Sequence, residues 1–110
     1  MNGHLHLIEK LDHVFPLKDG SGLWASGYWE LTENERTAIR RVYLHRKKAD
    51  PSHWGGDVLR IVPAAEFAAI AARHATEPVD RWVLIVRPTM DGKGAAWEGV
   101  THAMAYKSLS

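Results

Sequence analysis

Cysteine is absent from the 110 residues of this chain. Disulfide bonds, zinc–thiolate sites and thiol chemistry are therefore excluded, and the composition is typical of a protein in the reducing cytoplasm. Long apolar runs are missing too, since no segment reaches the roughly 18 residues that a transmembrane helix needs. The first residues, MNGHLHLIEK, lack the charged and apolar regions of a secretory signal. These absences predict a cytoplasmic protein that makes no contact with a membrane.

The net charge is only +1, but the charged side chains are unevenly distributed along the sequence. Residues 36–60 contain seven basic and two acidic side chains, which gives this segment a charge of +5. Such a patch can attract phosphate groups or an acidic protein surface. The simpler interpretation is that these side chains are only solvated.

The length predicts a single domain over residues 1–110, with a core from about residue 4 to residue 106. Apolar alternation and β-branched or aromatic residues predict strands at 4–9, 27–31, 42–45, 57–62, 81–87 and 100–106, the fifth of them central. Thr32 and Glu35 form a capping box that predicts a short helix over 33–40. A second helix is predicted after Pro63, over 64–75, with Phe67 in its buried stripe. The segment 12–26 is predicted to be a loop, and the tail from residue 107 to fray.

These elements predict an α+β fold, with a curved mixed sheet or barrel of about six strands and two inserted helices. Strands and helices do not alternate regularly, so a parallel α/β fold is not expected.

Metal and catalytic motifs give little support to an enzyme. His4 and His6 lie two residues apart and would share one face of a strand, but no third ligand follows at a diagnostic spacing. The sequence therefore predicts no metal and no cofactor. There is no Gly-x-Ser-x-Gly elbow, and Ser52 and His53 are adjacent, which is the wrong geometry for mutual activation.

The segment 42–62, a strand, a polar loop and a strand, is the best candidate for a site. Trp54 lies between His53 and the Gly55–Gly56 pair, close to a run of basic residues. An indole beside cations is typical of nucleobase sites, where stacking contributes about 1–3 kcal/mol per base. The alternative is that Trp54 closes the hydrophobic core beneath the loop.

Part of the sequence resembles the PUA-like group of small barrels, which includes the EVE and ASCH domains. The resemblance is carried by Ser26–Leu31 (SGYWEL), the short helix after it, Val42–His45 (VYLH) and Gly55–Val62 (GGDVLRIV). It implies a barrel that binds RNA or modified DNA bases in an aromatic cleft. Two features depart from the pattern: about 26 residues precede the Tyr-Trp strand, and no ASCH-type Gly-x-Lys-x-x-Glu motif is present.

The leading hypothesis is a non-catalytic module that binds a nucleobase, nucleotide or nucleic acid. The predicted ligand-binding residues are Trp29, Tyr43, His45, Ser52, His53, Trp54, Gly55, Gly56 and Trp97, and the predicted phosphate-binding residues are Arg46, Lys47 and Lys48. The first alternative is a small regulator or inhibitor that docks its basic loop on an acidic protein partner. The second is a small enzyme acting on a nucleotide or ADP-ribose-like substrate, with His45 or His53 as general base.

Overall fold

A computed structural model of the chain describes residues 3–8, 14–17, 19–47, 49–71, 81–97 and 107–109. These ranges contain seven strands, two α-helices and one 3₁₀ turn. In chain order the elements are β1 (His4–Ile8), β2 (Val14–Pro16), β3 (Trp24–Trp29), α1 (Glu33–Ala38), β4 (Arg41–His45), β5 (Trp54–Pro63), α2 (Ala64–Ala71), β6 (Trp82–Pro88), the 3₁₀ turn η1 (Met90–Gly92) and β7 (Lys107–Leu109).

All the described strands belong to one sheet, in the order β2-β3-β6-β5-β4-β1-β7. β1 and β4 run parallel, and each of the other neighbouring pairs is antiparallel. The two edges are β2 and β7, so the sheet is open over the part of the chain that the structure describes. The predicted α+β class with a mixed sheet is confirmed.

Two strands differ from the sequence-based expectation. β2 lies inside the segment that was predicted to be a loop, and it pairs with β3 from Val14–Ser26 to Pro16–Trp24. Gly20 and Gly22 both have positive φ and allow the chain to turn back between these strands. β7 forms where the tail was expected to fray, because it pairs antiparallel with β1. The predicted strand at 100–106 lies outside the described residues.

Helix α1 begins as its sequence predicts. The Thr32 hydroxyl accepts from the Glu35 amide at 3.1 Å, and the Glu35 carboxylate accepts from the Thr32 amide at 2.8 Å. The helix ends at Ala38, two residues before the expected end, because Ile39 is extended and its side chain enters the core. Lys107 of β7 then donates to the Glu35 carboxylate at 2.8 Å, which ties the sheet edge to this helix.

Helix α2 is described over Ala64–Ala71, directly after β5. Pro63, expected to open the helix, is the last residue of β5 instead. Phe67 is 1% exposed, as its place in the predicted stripe requires. Helix α2 covers one face of the sheet through a cluster of buried residues: Ala25, Ala64, Phe67, Val83 and Ile85.

The opposite face carries a second, larger core cluster. Its buried members come from β1, β3, β4, β6 and the ends of α1: Leu5, Leu7, Trp29, Leu31, Ile39, Val42, Leu44, Leu84 and Val86. Strand β6 contributes to both clusters and lies between β3 and β5, so its predicted interior position is confirmed. No helix among the described residues has the length and apolar character needed to cross a bilayer.

Strand β5 is the longest strand, with ten residues, and its pairing with β6 shifts register between Val58 and Arg60. An irregularity of this kind adds a residue to one strand and redirects the side chains beside it. Leu59, within the irregularity, is 42% exposed. The two ends of β5, Trp54 at one and Arg60 near the other, border the two cavities described below.

Candidate functional site

The predicted ligand-binding residues do not form one cleft. His53, Trp54 and Gly55 line a cavity at the start of β5. Tyr43, His45 and Trp97 belong to a buried aromatic cluster instead. Three other predicted residues have structural places: Trp29 is in the core, Ser52 is hydrogen-bonded to the 92–95 segment, and Gly56 lies within β5. Of the predicted phosphate-binding residues, Arg46 and Lys47 are exposed, and Lys48 is outside the described residues.

We call the first of these sites the Trp54 cavity. It has a volume of about 320 Å³, and its lining residues are His53, Trp54, Gly55, Pro88, Thr89, Met90 and Lys93. Trp54 also packs against the larger core cluster, and its ring centroid lies 6.3 Å from that of Trp24. The sequence left two positions open for Trp54, in the core or beside a cavity, and the indole occupies both: it closes the core and borders a cavity. Lys93 is the lysine beside it, rather than the predicted cations of the loop.

Ser52 holds the frame of this cavity together. Its hydroxyl donates to the Gly92 carbonyl at 2.7 Å and accepts from the Ala95 amide at 2.9 Å. Its backbone amide donates to the Ala95 carbonyl at 2.7 Å, and its carbonyl accepts from the Gly94 amide at 2.8 Å. Ser52 is 3% exposed, so these hydrogen bonds are sheltered from water. The geometry makes Ser52 a residue that fixes the 92–95 segment.

Glycine is required where η1 crosses β5. A Cβ on Gly92 would lie 2.2 Å from the Gly55 carbonyl oxygen, and one on Gly55 would lie 2.4 Å from the Val42 carbonyl oxygen. The Thr89 amide donates to the Gly55 carbonyl at 3.1 Å beside this crossing. The Gly-Gly pair of the sequence therefore allows two backbone segments to touch.

An ion pair fixes the outer side of the same turn. The Arg41 guanidinium donates to the Asp91 carboxylate at 2.7 Å and to the Thr89 hydroxyl at 2.8 Å. Hydrogen bonds from Arg41 and then from Thr89 lower the pKa of Asp91, and the bond to Asp91 raises that of Arg41. Arg41 is thus committed to the turn rather than to a ligand.

The second group of predicted residues is a buried histidine pair on the opposite side of β4. His6 Nδ1 and His45 Nε2 are 2.8 Å apart, and His45 Nδ1 lies 3.0 Å from the Asp50 carbonyl oxygen. A carbonyl oxygen only accepts, so His45 Nδ1 carries the proton in this bond. In a neutral pair His45 Nε2 then accepts from His6 Nδ1–H.

Aromatic rings enclose this histidine pair. The Tyr43 ring stacks on His6 at 4.9 Å between centroids, and Trp97 meets His45 edge-on at 5.2 Å. Both histidines are 0% exposed. Because His45 is buried and both its ring nitrogens are hydrogen-bonded, its geometry does not suit a general base acting on a substrate. The pair instead joins β1 to the loop that precedes Trp54.

Metal-ligand geometry is not present in the parts of the chain that the structure describes. His4 and His6 do share a face of β1, as expected, but both pack on Tyr43. No three histidine, aspartate or glutamate side chains among the described residues converge as metal ligands would.

The larger cavity lies between α1 and β5, and we call it the arginine cavity. Its volume is about 440 Å³, and its lining residues are Arg36, Thr37, Ile39, Arg40, Val58, Leu59, Arg60, Ile61 and Trp82. Three of these described residues are arginines and none carries a carboxylate. Arg36 and Arg40 make the α1 side of the cavity positive, and Val58, Leu59 and Ile61 give it an apolar floor.

Helix α1 positions two of the three guanidinium groups. Arg36 lies 3.9 Å from the centre of a Trp82 ring and donates to the Leu31 carbonyl at 2.7 Å. Arg40 donates to the Thr37 and Ile39 carbonyls, both at 3.0 Å. A guanidinium has five N–H donors, so both groups keep donors beyond these bonds.

Arg60 lies in β5 just past the irregularity and is exposed. It pairs with Ile85, whose side chain belongs to the cluster on the α2 face, so the Arg60 side chain leaves the sheet on that face, away from α1. The pKa of Asp19 is lowered chiefly by hydrogen bonds from Ser21, and the charge of Arg60 lowers it further.

Arg36, Arg40, Arg60 and Trp82 were not among the predicted site residues, and Trp82 is partly buried against the larger core cluster. The relevant signal was the excess of basic residues over 36–60. That excess did not show which of its members meet in space.

Comparison with protein families, with curated proteins and with solved structures finds no match to this chain.

Proposed function

We propose that this domain is a non-catalytic module that binds a nucleotide or nucleic acid, and that the phosphates bind in the arginine cavity. The observation that carries the proposal is that Arg36 and Arg40 of α1 line one cavity together with Trp82 and apolar residues of β5, and that none of its described lining residues carries a carboxylate. Guanidinium groups match phosphate oxygens in geometry as well as in charge.

The guanidinium groups of the cavity are fixed before a ligand binds. Arg36 and Arg40 are already held by carbonyl groups of α1 and its flanks, so little side-chain entropy is lost when they bind. Each charge-assisted hydrogen bond contributes about 1.5–3 kcal/mol.

The remaining surface of the cavity suits the rest of a nucleotide. Val58, Leu59 and Ile61 give an apolar floor for a sugar or base edge. The Arg36 guanidinium, stacked on Trp82, presents its other face as a plane on which a base can lie. The cavity falls within the 300–1,000 Å³ range that is usual for ligand sites.

The resemblance to PUA-like domains supports the same class of ligand. In this proposal the open seven-stranded sheet takes the place that the barrel has in PUA-like domains. The ligand site, however, is placed at the junction of α1 and β5, rather than in the loop between β4 and β5 that the sequence favours.

Binding of a fluorescent oligonucleotide, followed by anisotropy over a series of salt concentrations, tests the proposal. Arg40→Glu should weaken binding by about tenfold to a hundredfold and lower the salt slope by about one, because Arg40 is exposed and lines the cavity from α1. Arg46→Glu is the matched control, because Arg46 is exposed on the loop after β4 and does not line the cavity. Equal losses in the two variants, or no binding by the wild type at low salt, would overturn the proposal.

One observation favours the alternative partner. Arg46 and Lys47 are exposed on the loop after β4, as a surface that docks on an acidic protein would require. In that case Arg46→Glu would abolish the interaction and Arg40→Glu would not. Pull-down from a nuclease-treated lysate with these two variants separates an acidic protein partner from a nucleic acid.

A further inference from the structure

We infer that the ligand is single-stranded nucleic acid, and that the Trp54 cavity binds one of its bases while the arginine cavity binds phosphates further along the strand. This inference rests on the proposed function, because it assigns a polymer to a site proposed to bind phosphates. The observations that carry it are the lining of the Trp54 cavity, the fixation of its frame and its distance from the arginine cavity.

The lining of the Trp54 cavity suits a flat ring. The partly buried Trp54 indole forms one side, and Pro88 and Met90 add further apolar surface. Met90 is 97% exposed, which is unusual for a methionine on a fixed turn. Thioethers and indoles both make favourable contacts with aromatic rings. His53 and Lys93 supply polar groups that can contact base edges or a neighbouring phosphate.

The frame of the cavity is fixed before any ligand arrives. Four hydrogen bonds involving Ser52 hold the segment that carries Lys93. The bonds from Arg41 to Thr89 and Asp91 hold the residues on either side of Met90. A site whose walls are ordered in advance loses less entropy on binding, so a single base can contribute usefully there.

Distance along β5 selects a polymer over a mononucleotide. The β5 residues that line the arginine cavity, 58–61, lie four to seven residues from Trp54, which at about 3.3 Å per residue is roughly 13–23 Å. Trp54, Val58 and Ile61 pack against the same core cluster, so both cavities lie on that side of the sheet. A stacked strand advances about 3.4 Å per nucleotide, and roughly six nucleotides would span the interval.

The size of the Trp54 cavity favours single strands over duplexes. Its volume of about 320 Å³ is at the small end for ligand sites, which is enough for a single ring system. Bases in a duplex are stacked and paired, so none could enter without being flipped out at a cost of a few kcal/mol. Unpaired bases enter without this cost, as is usual for sites that combine aromatic planes with cations.

A length series of oligodeoxythymidylates, from the dinucleotide to the dodecamer, tests the inference by anisotropy. Affinity should rise by about a hundredfold between about four and eight nucleotides, as the second cavity becomes reachable. Trp54→Ala should weaken dodecamer binding about tenfold. Trp54→Phe should weaken it much less, because the phenyl ring still stacks on a base. Inorganic pyrophosphate, which is too short to span the two cavities, should bind both variants like the wild type.

Met90→Ala is the variant that separates binding from folding, because a side chain with this exposure contributes little to stability. It should weaken dodecamer binding several-fold and leave the unfolding midpoint unchanged. If Trp54→Ala and Met90→Ala bind the dodecamer like the wild type while Arg40→Glu does not, the inference fails and the proposed function stands. If the wild type binds neither dodecamer nor pyrophosphate, both fail. A duplex that binds as tightly as the single strand also overturns the inference.

Discussion

The two ends of β5 border cavities of opposite design. At the Trp54 end an aromatic side chain is held in a frame of sheltered hydrogen bonds, with a single lysine in the lining. Near the Arg60 end, Arg36 and Arg40 of α1 lie beside an apolar floor. Rigidity suits the recognition of a ring, and concentrated charge suits the capture of phosphates. In the proposed function one strand therefore borders two different kinds of binding surface.

The basic residues that are neighbours in the sequence are not the ones that share a cavity. Arg46 and Lys47 are neighbours in the sequence and stand exposed on a loop. Arg36 and Arg40 are not adjacent in the sequence, yet both line one cavity with Trp82 of β6, because α1 lies beside β5. Only the tertiary structure distinguishes a run of cations from a cluster of cations.

The largest expected effect comes from the histidine pair that supports the Trp54 end. His45→Ala should lower the free energy of unfolding by about 3 kcal/mol, because it leaves a cavity and removes the partners of His6 and of the Asp50 carbonyl. Hydrogen exchange should quicken at the Gly94 amide, in the Trp54 frame, more than at the Val58 amide, which bonds to Arg40. His4→Ala, at a partly exposed position of β1, is the control. Equal acceleration at both amides would remove the distinction between the two ends.

Ser52→Ala should cause a smaller loss of stability, and it tests the hydrogen-bonded frame of the Trp54 cavity directly. Removal of the hydroxyl leaves the Gly92 carbonyl and the Ala95 amide without their partner, at a cost of about 2 kcal/mol. Chemical denaturation measures this loss, with the exposed Ser21→Ala as control. Pyrophosphate binding should be unchanged, because Ser52 is remote from the arginine cavity. A variant that keeps wild-type stability but loses ligand would make Ser52 a binding residue instead.

The smallest effect is expected at α1, on the side of the Arg60 end. Burial raises the pKa of Glu35, but hydrogen bonds from Lys107 and Thr32 outweigh it and leave the pKa below its usual 4.5. A depressed carboxyl pKa stabilises the fold above the unfolded value, and this contribution is lost as pH falls through the folded value. Glu35→Gln should therefore cost about 1 kcal/mol at neutral pH and reduce the loss of stability below about pH 5. Thermal unfolding from pH 7 to pH 3 measures both, and an unchanged acid profile would contradict this account of Glu35.

Local signals in the sequence were enough to predict much of the fold. The capping box at Thr32 and Glu35 placed α1, and the apolar run over 81–87 placed an interior strand. The β2 strand was missed because its three residues gain stability from pairing with β3, which no local pattern reveals. The end of α1 was misplaced because Ile39 leaves the helix to enter the core.

The candidate site was less predictable, since it depends on contacts between distant residues. The sequence pointed to Trp54 and His53, and both border a cavity. It grouped Tyr43 and His45 with them because they are close along the chain, yet both side chains lie in the buried histidine cluster. Side chains on neighbouring residues of a strand alternate between faces, so proximity in sequence did not give proximity in the site.

The most direct test of the central claim is an NMR titration that observes the Nε–H groups of the arginines as an oligodeoxythymidylate is added. The assignments come from single Arg→Lys variants. The resonances of Arg36 and Arg40 should shift together with one saturation curve, while that of Arg46 stays in place. Movement of Arg46 with no change at Arg36 and Arg40 would contradict the proposed phosphate site, and would move it to the loop after β4.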